Sequence, residues 1–304
     1  MTPRDGFTRR DTELLGAGDV TLRGWYYRPD AANDGAVPGV VMAHGFSAVK
    51  EMALDRFAAV FAAAGLTVLV YDHRNLGASD GEHRQLVDPW GQIRDARRAL
   101  DWLAAQRDVD AARLAIWGSS FSGGEALVIG AADERVAAVV AQAPYVGNPQ
   151  LGDDDGSLIA AMRSAALGDE PGPGAQVVGP LPVVAADPTV AAMLPQPESW
   201  EWFQSHAADA PTWRNEVTLV LDGAPAPFEP ALAAAHLTAP LLMIVATEDH
   251  VADADLALAA FEQAAEPKRL ELVAGDHYVV YHGAGFDQAS GAARDFLVET
   301  LAGG

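Results

Sequence analysis

Three serines crowd the stretch Leu114 to Gly130, LAIWGSSFSGGEALVIG. A serine hydroxyl is a weak nucleophile until a base takes its proton and an acid orients that base. Spacing selects one of the three. A hydroxyl raised on a tight strand-to-helix turn needs small residues two positions before it and two after. Ser120 has Gly118 before it and Ser122 after it. Ser119 and Ser122 lack that spacing. The pattern is G-x-S-x-S rather than G-x-S-x-G, with Gly123 and Gly124 following. A helix starting at this point favours developing negative charge. The plainer reading is a Gly/Ser turn that only joins a strand to a helix.

A base and an acid in the right order separate the two readings. On a doubly wound sheet they follow late strands, acid first. Asp249 closes the run APLLMIVATED, and His277 follows KRLELVAGD. Ser120, Asp249 and His277 therefore form the candidate triad. Each has rivals. Asp253 reads better as the N-cap of the next helix, Glu248 as a strand-terminal residue, and His282 lies beyond YVVY, past the first turn. An oxyanion needs two donors. The backbone N–H of Phe121, next to the nucleophile, is one. The N–H of Phe46, in the loop opened by MAHGF, is the other. His44 reads as a brace of that loop, and Asp72, His73 and Arg74 as structural residues of the following one.

The surrounding elements must hold these residues at one edge. Runs Phe7 to Leu14 and Val20 to Arg28 flank the turn GAGDV and predict an antiparallel hairpin. GVVMAHG, LTVLVY, RLAIWG and RVAAVVAQAP are short continuous apolar runs, as buried parallel strands are. Between them MALDRFAAVFAAAG and PWGQIRDARRALDWLAAQ have helical spacing, and EALVIGAA starts a third helix. Such alternation predicts a mostly parallel α/β sheet covered on both faces. From Tyr145 to about Thr238 the pattern breaks. Prolines, glycines and acids are frequent there, and GDEPGPGAQVVGPLPVV is the least regular part. The expected organisation is a core of residues 1–144 and 239–304 interrupted by a helical cap, 145–238. No internal repeat is visible.

Composition narrows the function. The chain has 304 residues, half of them hydrophobic, and a formal net charge of −22. That charge repels phosphate backbones, so nucleic acid is not the expected partner; an acidic solvated surface is the simplest account of it. Cysteine is absent, which excludes disulfides and thiolate chemistry. No apolar run is long enough to span a bilayer. The charged start MTPRDGFTRRDTELL does not read as a signal peptide, so the expectation is a cytoplasmic protein without membrane partners. GDDDG, Gly152 to Gly156, has too few ligands at the right spacing for a metal; neither metal nor cofactor is expected. Oligomeric state is not set by the sequence, and a homodimer is compatible with it.

Taken together, HGF at His44 to Phe46, YDHRNLGASDG at Tyr71 to Gly81, GSSFSGG at Gly118 to Gly124, ATED at Ala246 to Asp249 and GDH at Gly275 to His277 resemble the α/β-hydrolase fold family. The similarity is greatest to its dienelactone-hydrolase-like and acyl-peptidase-like branch. The resemblance implies a serine hydrolase with Ser120, Asp249, His277 and the N–H groups of Phe46 and Phe121 in the family's positions. It implies a cap over the nucleophile, where Trp200, Trp202, Phe203 and Trp213 build either the cap's own small core or a wall for an apolar substrate. The leading expectation is cleavage of a carboxylic ester, lactone or thioester. Amide cleavage, a lyase or cyclase on the same fold, and a receptor-like binding protein are the competing ones, because a fold does not fix a chemistry.

Overall fold

The computed structural model describes residues 6–33, 35–168 and 176–302. In chain order the first half runs β1 (Phe7–Leu15), β2 (Thr21–Pro29), β3 (Val37–Ala43), α1 (Leu54–Ala63), β4 (Thr67–Tyr71), β5 (Leu86–Val87), α2 (Pro89–Ala104), β6 (Val109–Ser119), α3 (Phe121–Ala132) and β7 (Val136–Gln142). There follow α4 (Ser157–Leu167), β8 (Gln176–Leu181), α5 (Pro197–Ala207), β9 (Val217–Asp222) and α6 (Pro230–Ala234). The chain closes with β10 (Leu241–Ala246), α7 (Ala254–Gln263), β11 (Lys268–Val273) and α8 (Gly283–Ala302).

Eight strands make one sheet in the order β1-β2-β4-β3-β6-β7-β10-β11. The hairpin β1–β2 and the β2–β4 pair are antiparallel, and the β3–β4, β3–β6, β6–β7, β7–β10 and β10–β11 pairs are parallel. The continuous apolar runs are explained by cover on both faces. Val40, Met42, Val68, Val70, Ala115 and Trp117 join the core on the α1 and α8 side. Val41, Leu69, Tyr71, Leu114 and Ile116, the alternate positions, join the core on the α2, α3 and α7 side. Period-two side chains thus seal two cores with one set of strands.

Among its described residues, the segment between β7 and β10 carries three helices and, in addition, two strands. β9 pairs antiparallel with β8 and parallel with β5, forming a second, three-stranded sheet. The expected helical insertion thus carries a small sheet beside its helices. Val217, Thr218 and Val220 favour an extended chain, a signal masked by the surrounding prolines. Those prolines start helices rather than break them: Pro197 and Pro230 sit in the first turns of α5 and α6, where the missing N–H costs nothing. Part of the irregular run, Asp169–Ala175, lies outside the described residues. Two of the three acids of GDDDG serve α4. Asp153 accepts from the N–H groups of Leu158 and Ile159, and Asp155 from that of Ser157. Among the described residues no helix is long and apolar enough to cross a membrane.

Candidate active site

β6 ends at Ser119 and α3 begins at Phe121, so Ser120 alone makes the turn. Its φ of 58° and ψ of −119° are strained for a residue with a side chain. Four backbone hydrogen bonds hold it there. The Ser120 N–H donates to Gln142 O at 2.8 Å, and Ser120 O accepts from Gly123, Gly124 and Tyr145. Glycine is required beside it by space. A Cβ on Gly118 would stand 1.9 Å from Ser122 O, and one on Gly124 2.2 Å from Tyr145 O.

The late strands deliver the two partners. Ser120 Oγ lies 3.0 Å from His277 Nε2, and His277 Nδ1 lies 2.6 Å from Asp249 Oδ2. His277 and Asp249 are both buried. Asp249 Oδ1 accepts from the amides of Val251 and Ala252 at 2.8 Å each. Burial alone would raise the Asp249 carboxyl. The His277 hydrogen bond, its charge and the two amides outweigh burial and hold it below the usual carboxylate range. The rivals stand elsewhere. Asp253 caps α7, accepting from the amides of Asp255 and Leu256. Glu248 and His282 are exposed, although the Glu248 N–H donates to Gly275 O and so ties the acid's turn to the histidine's loop.

The loop after β3 closes the other side. A Cβ on Gly45 would lie 3.0 Å from Ser120 Cβ, so this backbone runs directly against the serine. Neither the Phe46 nor the Phe121 N–H has an acceptor among the described residues. Buried Asp72 anchors the loop, accepting from Lys50 N, Lys50 Nζ and Ala78 N at 2.7–2.8 Å. Arg74 makes a bidentate pair with buried Asp95. Neither Arg74 nor His73 lines the two cavities described next.

Two cavities meet at Ser120. An apolar cleft of about 410 Å³ is lined by Phe121, Tyr145, Leu194, Leu219, Phe228 and Val251, among others. A chamber of about 20 Å³, room for roughly one water, lies against His277, Trp202, Phe203 and Tyr281. Of the four aromatics of the inserted segment singled out from sequence, Trp202, Phe203 and Trp213 are buried in the core on the α1 side. Trp213 Nε1 donates to Ser47 O, and Trp202 stacks on Tyr278 at 5.1 Å. The cleft uses different aromatics. Phe121, Tyr145 and Phe228 stand 5.2–6.2 Å apart. Tyr145 and Phe228 escaped the sequence reading because they sit alone at the two ends of the inserted segment. Tyr281 also escaped it. Its hydroxyl lies 2.6 Å from Ser119 Oγ, and burial pushes it up to about 12, so it stays protonated and links the histidine's loop to the elbow.

Sheet order, elbow and site define a serine hydrolase of the α/β-hydrolase class. Within that class the chain belongs to the X-Pro dipeptidyl-peptidase (S15) family, whose model matches residues 18–279. It is similar to the quorum-quenching protein AidA of Acinetobacter baumannii, 30% identical with 92% of each chain covered. It is similar to the thiohydrolase aneE of Aspergillus aculeatus, 29% identical with 97% of this chain and 95% of that one covered. Among solved structures, the α/β hydrolase GrgF from Penicillium sp. superposes with a TM-score of 0.74 at 26% identity, covering 97% of this chain and 99% of GrgF.

Proposed function

We propose that this protein cleaves an uncharged, apolar carboxylic ester or thioester through an acyl-enzyme on Ser120. The observation that carries the proposal is the hydrogen-bonded chain Ser120–His277–Asp249 at the mouth of an apolar cleft. Ser120 Oγ attacks the carbonyl carbon while its proton passes to His277 Nε2. Asp249 fixes the Nδ1–H tautomer and stabilises the imidazolium. The N–H groups of Phe46 and Phe121 take the oxyanion. His277 then protonates the departing alcohol or thiol, and water, deprotonated by His277, releases the acid.

The family's description names release of a dipeptide. That reaction would set a free ammonium two residues from the scissile bond, and a buried ammonium needs an acid. None of the described residues lining cleft or chamber is acidic, which favours a neutral acyl group. Transfer of the acyl group to an acceptor other than water is the second reading, favoured by a Penicillium relative named polyketide transferase, 36% identical over 54% of this chain.

The test compares p-nitrophenyl esters of short and medium chain with wild type and Ser120→Ala. Turnover by the wild type and a loss of several orders of magnitude in the variant are expected. Equal activity of the two sinks the proposal. Covalent labelling of Ser120 by a fluorophosphonate is expected in parallel. Added alcohols that divert product from acid to ester would favour transfer.

A further inference from the structure

Ser122 stands where the elbow pattern has glycine, and its side chain takes no part in the chemistry proposed above. It is nevertheless fully engaged. Its Oγ lies 2.6 Å from His44 O, 2.7 Å from Glu125 Oε2 and 2.9 Å from His73 Nε2. None of these four residues is more than 2% exposed.

Proton counting sets the directions. A hydroxyl gives one hydrogen and can accept two. The His44 carbonyl can only accept, so the Ser122 proton points to it. The other two partners must each bring a proton. His73 brings one from Nε2. Its Nδ1 is then bare, in keeping with the absence of any Nδ1 partner among the described residues. The second proton must come from Glu125 Oε2. A carboxylate there would oppose lone pairs at 2.7 Å or draw the hydroxyl proton away from His44. Glu125 Oε1 is also without a partner, a costly state for a charged oxygen and a milder one for the carbonyl of an acid.

We propose that Glu125 is held as a neutral carboxylic acid whose O–H, relayed through Ser122, fixes the His44 carbonyl and with it the loop that carries the Phe46 N–H. Glu125 is a positioning residue, and its role rests on the oxyanion reading above.

The surroundings support a proton on Glu125. Burial raises its carboxyl far above the usual range. The Ser122 contact opposes this, and the charges of Asp88 and Asp95 on the α2 side add to it. Asp95 is paired with Arg74, and Asp88 caps α2 through the Trp90 N–H. His73 and His44 are both lowered by burial, and the Tyr71 hydroxyl is raised well above its ordinary value by burial. β7 and α6 carry no charged side chain. On β6 Asp110 pairs with Arg113, and on α4 Arg163 donates to Ala131 O. The ion-pair partner within reach of Glu125 among the described residues is neutral His73, at 3.6 Å.

The test is an infrared difference spectrum of the intact protein at neutral pH, wild type minus Glu125→Gln. The carbonyl stretch of a protonated carboxylic acid is expected. A carboxylate signature overturns the proposal. This reading needs no turnover, so a failed ester assay faults the proposed function and leaves Glu125 standing. Kinetics test the relay. Ser122→Ala and Glu125→Leu should each lower kcat roughly tenfold with little change in KM, less than loss of an oxyanion donor itself. The double variant should be no worse than either single one. Glu125→Gln, whose amide N–H replaces the acid O–H, should restore kcat. Additive losses, or a Gln variant as slow as the Leu one, overturn the relay.

Discussion

Asp249 and Asp253 are only four residues apart, and the proposed mechanism gives them different work, catalysis to the first and stability to the second. Asp249 spends one oxygen on His277 and the other on two amides. Asn in its place can keep the amide contacts but favours the wrong histidine tautomer. The expected loss in kcat for Asp249→Asn is on the order of 10⁴-fold. Asp253→Ala should leave kcat unchanged and cost about 1 kcal/mol of stability through the lost cap of α7. Chemical denaturation and an esterase assay on both variants check the pair, and a large kcat loss in Asp253→Ala would reverse the assignment. Asp133 carries a pH prediction. Burial would raise its carboxyl, but Arg135 and Arg97 together hold it down at about 2. A depressed carboxyl adds stability that is present above the unfolded carboxylate value and is lost as pH falls toward 2. Asp133→Asn should therefore be less stable than wild type at pH 7, and melting curves should show the gap closing on acidification.

The elements that hold the site divide into those with a clear signal in sequence and those without. β3, β4, β6, β7 and β10 were legible because strands covered on both faces must be continuously apolar. The elbow was legible because only small residues fit where a Gly118 Cβ would strike Ser122 O. The inserted segment was not. Two of its helices begin at prolines, and β9 borrows its parallel partner β5 from a loop far away in sequence. Cleft walls such as Tyr145 and Phe228 are single residues from separate loops, which no periodicity joins. Ser122 looked like a weakened glycine, since its role depends on His44, His73 and Glu125 converging in space. The cleft in turn makes a prediction at this scale. Phe228 is half-buried and packs against Phe121 and Tyr145. Phe228→Ala should raise KM for medium-chain esters more than for acetate, by roughly tenfold if about 1.4 kcal/mol of apolar contact is lost. A uniform change across chain lengths would place the acyl group elsewhere.

The whole molecule carries a net charge of −22, while the described residues lining its cleft and chamber include no acid and no Lys or Arg. Surface charge and site chemistry should therefore respond differently to salt. Self-repulsion among surface carboxylates destabilises the folded state and is screened once the Debye length falls to ~10 Å near 0.1 M salt. Raising salt from a few millimolar to that range should increase Tm. A neutral substrate gains nothing from the field, so its kcat/KM should stay flat over the same range. A cationic substrate would be drawn in by the field and would lose kcat/KM steeply as salt rises. Measuring Tm and kcat/KM along one salt series separates the two cases. A rise in Tm with constant kcat/KM fits a neutral ester entering an apolar cleft. A parallel fall in kcat/KM would mean that the acidic surface steers a cation to Ser120, and that the neutral-substrate assignment is wrong.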